Sequence, residues 1–168
     1  MGIKLIDKVV NLIKAFEGIM DGNPKTASLD PYICPAGYWT IGWGHVVLHN
    51  KKMLRGAENK SLAYAQYPNG ITMAQAEELL RADLNKFITQ IQTLIKSTVN
   101  DNQANALLSF AFNLGPGNLA KSTLLKKVNA NPNDPTIRAE FMRWVNKGTP
   151  FEKGLTRRRA AEADLYFS

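Results

Sequence analysis

The sequence predicts a mostly helical α+β chain of one-domain size, long enough to divide into two lobes. Three observations carry this. Apolar residues recur three and four apart in several separate stretches, the pattern of amphipathic helices. One short stretch, YWTIGW at residues 38–43, joins aromatic and β-branched residues with glycine, as short strands of a small hairpin or sheet do. The longest helical run follows it at Thr72, and such length suits a helix joining two lobes.

Ile3, Ile6, Val9, Val10, Ile13 and Phe16 form the stripe of a first helix, which Gly18 ends. Residues 19–31, IMDGNPKTASLDP, are turn formers and read as a loop. Residues 46–70 are ambiguous. Thr72 and Gln75 make a capping box, and Ala76, Leu79, Leu80, Leu84, Phe87, Ile88, Ile91, Leu94 and Ile95 continue it for about 25 residues. After the polar break TVNDNQ, ANALLSFAFNL is apolar on most sides, as a buried central helix is, and Gly115-Pro116-Gly117 stops it. Ser122 caps LLKKVN, Asp134-Pro135 opens a helix to about Trp144, and LTRRRAAEADLYF is the last. The expected division is a small lobe over about 18–71 with the hairpin, a connecting helix over 72–96, and a helical lobe of 97–168 plus 1–17.

The 168 residues can bury a substantial core, and a single cysteine excludes an internal disulfide. Lys4, Asp7, Lys8, Asn11 and Lys14 interrupt the first apolar run, so neither a signal peptide nor a membrane span is expected there. Net charge is +7, and residues 119–168 hold ten Lys/Arg against five Asp/Glu. A basic region of this kind attracts polyanions such as nucleic acid, anionic lipid or acidic wall polymers, or serves only to solubilise the chain.

Four features bear on chemistry. Glu17 sits at the end of an apolar helix, where the dipole and a partly apolar setting favour a protonated carboxyl, the state a general acid requires. Cys34 precedes a strand and reads either as a small buried residue or, paired with His45, as a thiolate nucleophile. His45 and His49 lack the glutamate of a zinc-protease signature, and no metal site is expected. Arg157-Arg158-Arg159 reads as a solvated helix surface more readily than as a binding site.

The stretch Tyr32-x-Cys34-x-x-Gly37-x-x-Thr40-Ile41-Gly42-Trp43-Gly44-His45 resembles the active-site hairpin of phage-type lysozymes, the endolysins of glycoside hydrolase family 24. Phe16-Glu17-Gly18 resembles that family's catalytic glutamate segment. Asn105–Asn129, Glu140–Trp144 and Gly154–Glu162 follow in matching order, so the resemblance covers nearly the whole chain. It implies a lysozyme-like fold with the polysaccharide in a cleft between the lobes, and cleavage of the β-1,4 bond between N-acetylmuramic acid and N-acetylglucosamine in peptidoglycan. It further implies Glu17 as general acid, Cys34 at a position the family fills with Asp or Cys, and Thr40 as the residue orienting water. Phe112 and Thr123 fall in segments matching sugar contacts, while His45 and Asp83 match a structural pair. Sixteen residues separate Glu17 from Cys34, more than the family's usual spacing, so residues 19–31 contain an insertion that brings Asp21 and Asp30 forward as rival second carboxylates.

The resemblance also implies no cofactor, a monomer, and no nucleic-acid partner. A holin partner would release the enzyme from the host cytoplasm to peptidoglycan in the periplasm, the absence of a separate wall-binding module points to a Gram-negative host, and the basic C-terminal region would contact an anionic membrane or outer-membrane surface. The rival readings are a lytic transglycosylase, a cysteine amidase or peptidase using Cys34 and His45, and a non-enzymatic cationic membrane disruptor.

Overall fold

The computed structural model describes residues 2–168. The chain divides into two compact units, one from Glu17 to Asp83 and the other made of the residues before Glu17 together with Leu84–Ser168.

In the first unit, β1 (Tyr32–Ile33), β2 (Trp39–Ile41) and β3 (His45–Val46) form an antiparallel sheet in that order, with Tyr32 opposite Thr40 and Ile41 opposite His45. The turn into β3 requires glycine at position 42. Its φ is 61°, and a Cβ there would meet the Ala76 Cβ at 3.0 Å. The ambiguous region 46–70 resolves into a second hairpin, β4 (Leu48–His49) with β5 (Lys52–Met53), a short 3-10 turn at Ala57–Asn59, and α2 (Lys60–Gln66). Elements of two to seven residues are too short to show periodicity, which is why the sequence left them unassigned. Trp39, Ile41, Trp43, Val47, Leu54, Ala63, Ile71 and Leu80 form this unit's core. Trp39 is fixed at both ends: its indole N–H donates to the Gly56 carbonyl at 2.8 Å, and its ring meets Tyr64 edge-on at 6.1 Å.

The loop over residues 19–31 is held by its own carboxylates. Asp21 Oδ1 accepts the N–H groups of Asn23 (3.0 Å) and Asp30 (2.9 Å), and Thr26 Oγ1 donates to Asp30 Oδ2 at 2.6 Å. Asp30 is buried, and a Cβ on Gly22 would sit 1.9 Å from the Pro31 carbonyl oxygen. The two candidate rival carboxylates thus fold the insertion.

The connecting helix is α3 (Met73–Ile91), opened as expected by Thr72. Gln75 N–H donates to Thr72 Oγ1 at 3.2 Å, and Thr72 N–H donates to Gln75 Oε1 at 2.8 Å. The helix stops earlier than the 96 expected. Past Ile91 the chain turns, and Asn129 clamps it by accepting the Lys96 N–H at 2.7 Å and donating to the Leu94 carbonyl at 3.0 Å.

In the second unit, α1 (Asp7–Glu17), which belongs to it up to Phe16, buries Val9, Val10 and Ile13. It begins later than its apolar stripe. Asn105, fully buried, accepts the Ile6 N–H at 3.3 Å and donates to the Lys4 carbonyl at 2.7 Å, so these residues bond to a side chain instead of a helical turn. The central helix is α4 (Asp101–Leu114), with Gln103 through Ala111 all buried. Its start is an Asn100/Gln103 capping box inside the segment read as a polar break.

Gly115-Pro116-Gly117 ends α4 but also starts α5 (Pro116–Lys121), because proline is well suited to the first helical position. Ser122 caps α6 (Thr123–Ala130) as expected, accepting the Leu125 N–H at 3.0 Å. The helix after Asp134-Pro135 is shorter than expected, α7 (Ile137–Phe141), and α8 (Glu152–Tyr166) closes the chain. Phe110, Phe141, Trp144 and Tyr166 pack through edge-on rings at 5.4–5.9 Å. Burying each such ring contributes roughly 1.5–3 kcal/mol.

The arginine triplet is not a solvated surface. Arg157 is exposed, but Arg159 is 0% exposed and Arg158 is buried beside a fully buried Glu162. Glu162 Oε1 accepts from Arg159 Nη2 at 3.0 Å, Ser109 Oγ at 2.7 Å and Arg158 Nε at 3.3 Å. Arg159 also donates to Asn113 Oδ1 at 2.8 Å and lies over the Phe110 ring. Burial pushes the Glu162 carboxyl above the usual range, against the pull of Arg159, Ser109 and Arg158. A helix carrying such a cluster shows no clean amphipathic pattern, so the sequence alone reads it as surface.

Candidate active site

Glu17 is the last residue of α1, and Gly18 leaves the helix at φ 65°, the left-handed conformation a glycine stop provides. The Glu17 side chain is exposed, not set in the partly apolar surroundings the sequence suggested. It begins the same compact unit that holds the first hairpin.

Pairing in an antiparallel ladder puts opposite residues on one face, so Tyr32 and Thr40 point the same way. Cys34 follows Tyr32 by two residues and starts the turn between β1 and β2. Its N–H donates to the Tyr38 carbonyl at 2.9 Å, and its carbonyl accepts the Gly37 N–H at 2.8 Å, with Gly37 at φ 84°. The thiol is partly exposed. Burial pushes its pKa up, but the hydrogen bonds it receives from the Tyr38 backbone, the Thr40 side chain, and the Ala36 and Gly37 backbone outweigh this and hold the thiol below its ordinary value.

Thr40 is buried, with its hydroxyl 3.0 Å from the Tyr38 carbonyl. One hydroxyl hydrogen serves either that carbonyl or the sulfur, and both uses leave oxygen lone pairs free to accept from water. The Tyr32 phenol is pushed up by burial, then by the negative charges of Cys34 and Glu17, against a hydrogen bond from the Gly44 backbone. It stays a protonated donor that senses both groups. The structure therefore gathers Glu17, Cys34 and Thr40 in one unit, with Tyr32 paired opposite Thr40 on the strand that leads into the Cys34 turn.

His45 Nδ1 lies 2.7 Å from Asp83 Oδ2, each side chain about one-fifth exposed, so the histidine is tied to α3. Asp83→Asn is expected to cost about 1–3 kcal/mol, lowering the Tm by several degrees, with turnover at low temperature retained. Thermal unfolding and a low-temperature lysis assay on the same samples check it; lost activity at unchanged Tm would refute the structural role.

Phe112 and Thr123 belong to the other unit. Phe112 on α4 is half-buried against Phe87, ring centres 5.2 Å apart, and Thr123 is exposed at the start of α6. Thr123 lines a shallow cavity of about 310 Å³ with Ser122, Glu140, Arg143 and Trp144. Among the described residues, no group of three or more His, Cys, Asp or Glu could hold a metal ion.

A family model described as phage lysozyme matches residues 15–162. An endolysin of Acyrthosiphon pisum secondary endosymbiont phage 1 is 36% identical over 167 residues, covering 96% of this chain and 97% of that protein. An endolysin of Bacillus phage B103 is 33% identical over 159 residues, covering 95% of this chain; the chain spans only 52% of that protein's length. Among solved structures, an endolysin from Escherichia coli O157:H7 phage FAHEc1 superposes with a TM-score of 0.74 at 30% identity, covering 98% of this chain and 94% of its own. The muramidase domain of SpmX from Asticaccaulis excentricus gives 0.72 at 28% identity, covering 98% of both chains.

Proposed function

Since the chain belongs to the phage lysozyme family, we propose that it is a peptidoglycan-degrading endolysin that hydrolyses the β-1,4 bond between N-acetylmuramic acid and N-acetylglucosamine. The observation that carries this reading is the grouping of Glu17, Cys34 and Thr40 in the unit that holds the first hairpin, with Thr40 paired opposite Tyr32.

The reaction needs a proton donor for the leaving oxygen and, across the sugar, a group that handles water and positive charge. Glu17 gives its proton to the glycosidic oxygen as the bond to the anomeric carbon breaks. Water enters from the opposite side, held by the Thr40 oxygen, whose own hydrogen is engaged with Tyr38 or Cys34. The Cys34 thiolate takes the water's proton and its charge stabilises the oxocarbenium-like transition state, so the product forms with inversion. Phe112 and Thr123 are assigned to sugar contacts, and His45 with Asp83 to fixing the hairpin on α3.

Mass spectrometry of fragments from purified sacculi tests the reaction. New reducing sugar ends are expected. Anhydro-sugar ends would indicate transglycosylation, and new amino groups would indicate amidase chemistry.

The thiol's lowered pKa gives a second test. Activity of the native enzyme rises with pH as Cys34 ionises, and this limb lies below the ordinary thiol value of about 8.5. Cys34→Asp retains activity and loses the limb, because its carboxylate is already charged at neutral pH, while Cys34→Ala is impaired throughout. An Ala variant as active as the Asp variant would remove the thiol from the mechanism.

Family membership supports holin-dependent passage from host cytoplasm to the periplasmic wall, with the enzyme acting as a monomer.

A further inference from the structure

We propose that the β4–β5 hairpin is a docking surface for an anionic phospholipid membrane. Ladder partners share a face: Leu48 lies opposite Met53, and His49 opposite Lys52. The flanking Val47 and Leu54 are buried, and His49 reaches Gln66 of α2 at 3.4 Å, so alternation assigns these residues to the inner face. Leu48 and Met53 are left on the outer face, 47% and 57% exposed. Alternation normally places polar residues there. Of the exposed large apolar residues among those described, these two alone face each other across a ladder.

The surrounding charge matches an anionic head-group layer. On the side of the apolar pair lie Lys51 at the tip and Arg55, two residues past Met53, and residues 46–60 carry a single carboxylate, Glu58. The tip adds an independent sign. Asn50 and Lys51 have φ of 50° and 63°, as a two-residue turn of the favoured hand requires, and the second of these positions favours glycine. A lysine there holds a left-handed conformation that carries a conformational cost for a residue with a Cβ, and it presents an exposed ammonium at the point of the hairpin. An apolar pair with cations beside it fits a bilayer interface, where apolar insertion and charge attraction add. It does not fit a glycan strand, which offers no acyl chains for the pair to enter.

Co-sedimentation of the full chain with vesicles of phosphatidylethanolamine and phosphatidylglycerol tests this, with phosphatidylcholine vesicles as control. The native protein is expected to bind only the anionic vesicles. Lys51→Gln with Arg55→Gln should weaken binding about five-fold for each cation removed, and Leu48→Ser with Met53→Ser on the order of ten-fold. Turnover on soluble wall fragments and the Tm should hold in both. The proposal is overturned if the native protein does not bind, if it binds neutral vesicles equally, if inorganic phosphate alone displaces it, or if both double variants bind like the native protein. It is equally overturned if Arg157→Gln, in the basic C-terminal region, removes the binding that the hairpin variants leave intact.

Discussion

Glu17→Gln is expected to fold normally and to release reducing ends from sacculi about 10²- to 10⁴-fold more slowly, the range a positioned general acid contributes. Glutamine preserves shape and hydrogen-bonding reach but has no proton to give the leaving oxygen. The effect should fall on turnover. Because the side chain is exposed at the end of α1, stability should shift by no more than about 0.5 kcal/mol. Thermal unfolding and a reducing-end assay on the same preparation separate chemistry from folding. If the glutamine protein digests sacculi at the native rate, Glu17 is not the acid.

The second large effect concerns stability. Glu162→Ala removes the carboxylate against which Arg158 and Arg159 are buried, and also strands the Ser109 hydroxyl that donates to it at 2.7 Å. Breaking a buried ionic cluster by deleting one partner costs about 3–5 kcal/mol, since the remaining charge stays desolvated. In a chain of this size that lowers the Tm by on the order of 10 °C. Glu162→Gln, which keeps the Ser109 contact but no charge, should lose most of the same stability. The distinction from Glu17→Gln lies in the readout: at low temperature the surviving folded fraction of Glu162→Gln should turn over normally. An unchanged Tm in the alanine variant would mean that the guanidiniums reach water, against their burial.

The two sites differ in how far the sequence revealed them. Glu17, Cys34 and Thr40 stand out in the sequence through the resemblance of their segments to phage lysozyme motifs, and local structure then holds them: a helix end marked by Gly18, a glycine-bearing turn and a paired strand. Tyr32 was in view but unassigned, since its partial burial is set by tertiary packing and not by its neighbours in the chain. The insertion's Asp21 and Asp30 stand in the sequence as rival carboxylates, and what the sequence does not show is that they accept hydrogen bonds within their own loop.

By itself the sequence determined the helix starts at Thr72 and Ser122, the first hairpin, and the chemical types available at the site, because caps, turns and strand alternation act over a few residues. Tertiary structure alone decided that Asn105 holds the N-terminal strand of chain out of α1, that an arginine pair goes inside with Glu162, and that Leu48 and Met53 face outward together. Each of those outcomes depends on which surface a residue is pressed against. That is set by contacts between segments distant in the chain, and no local pattern encodes it.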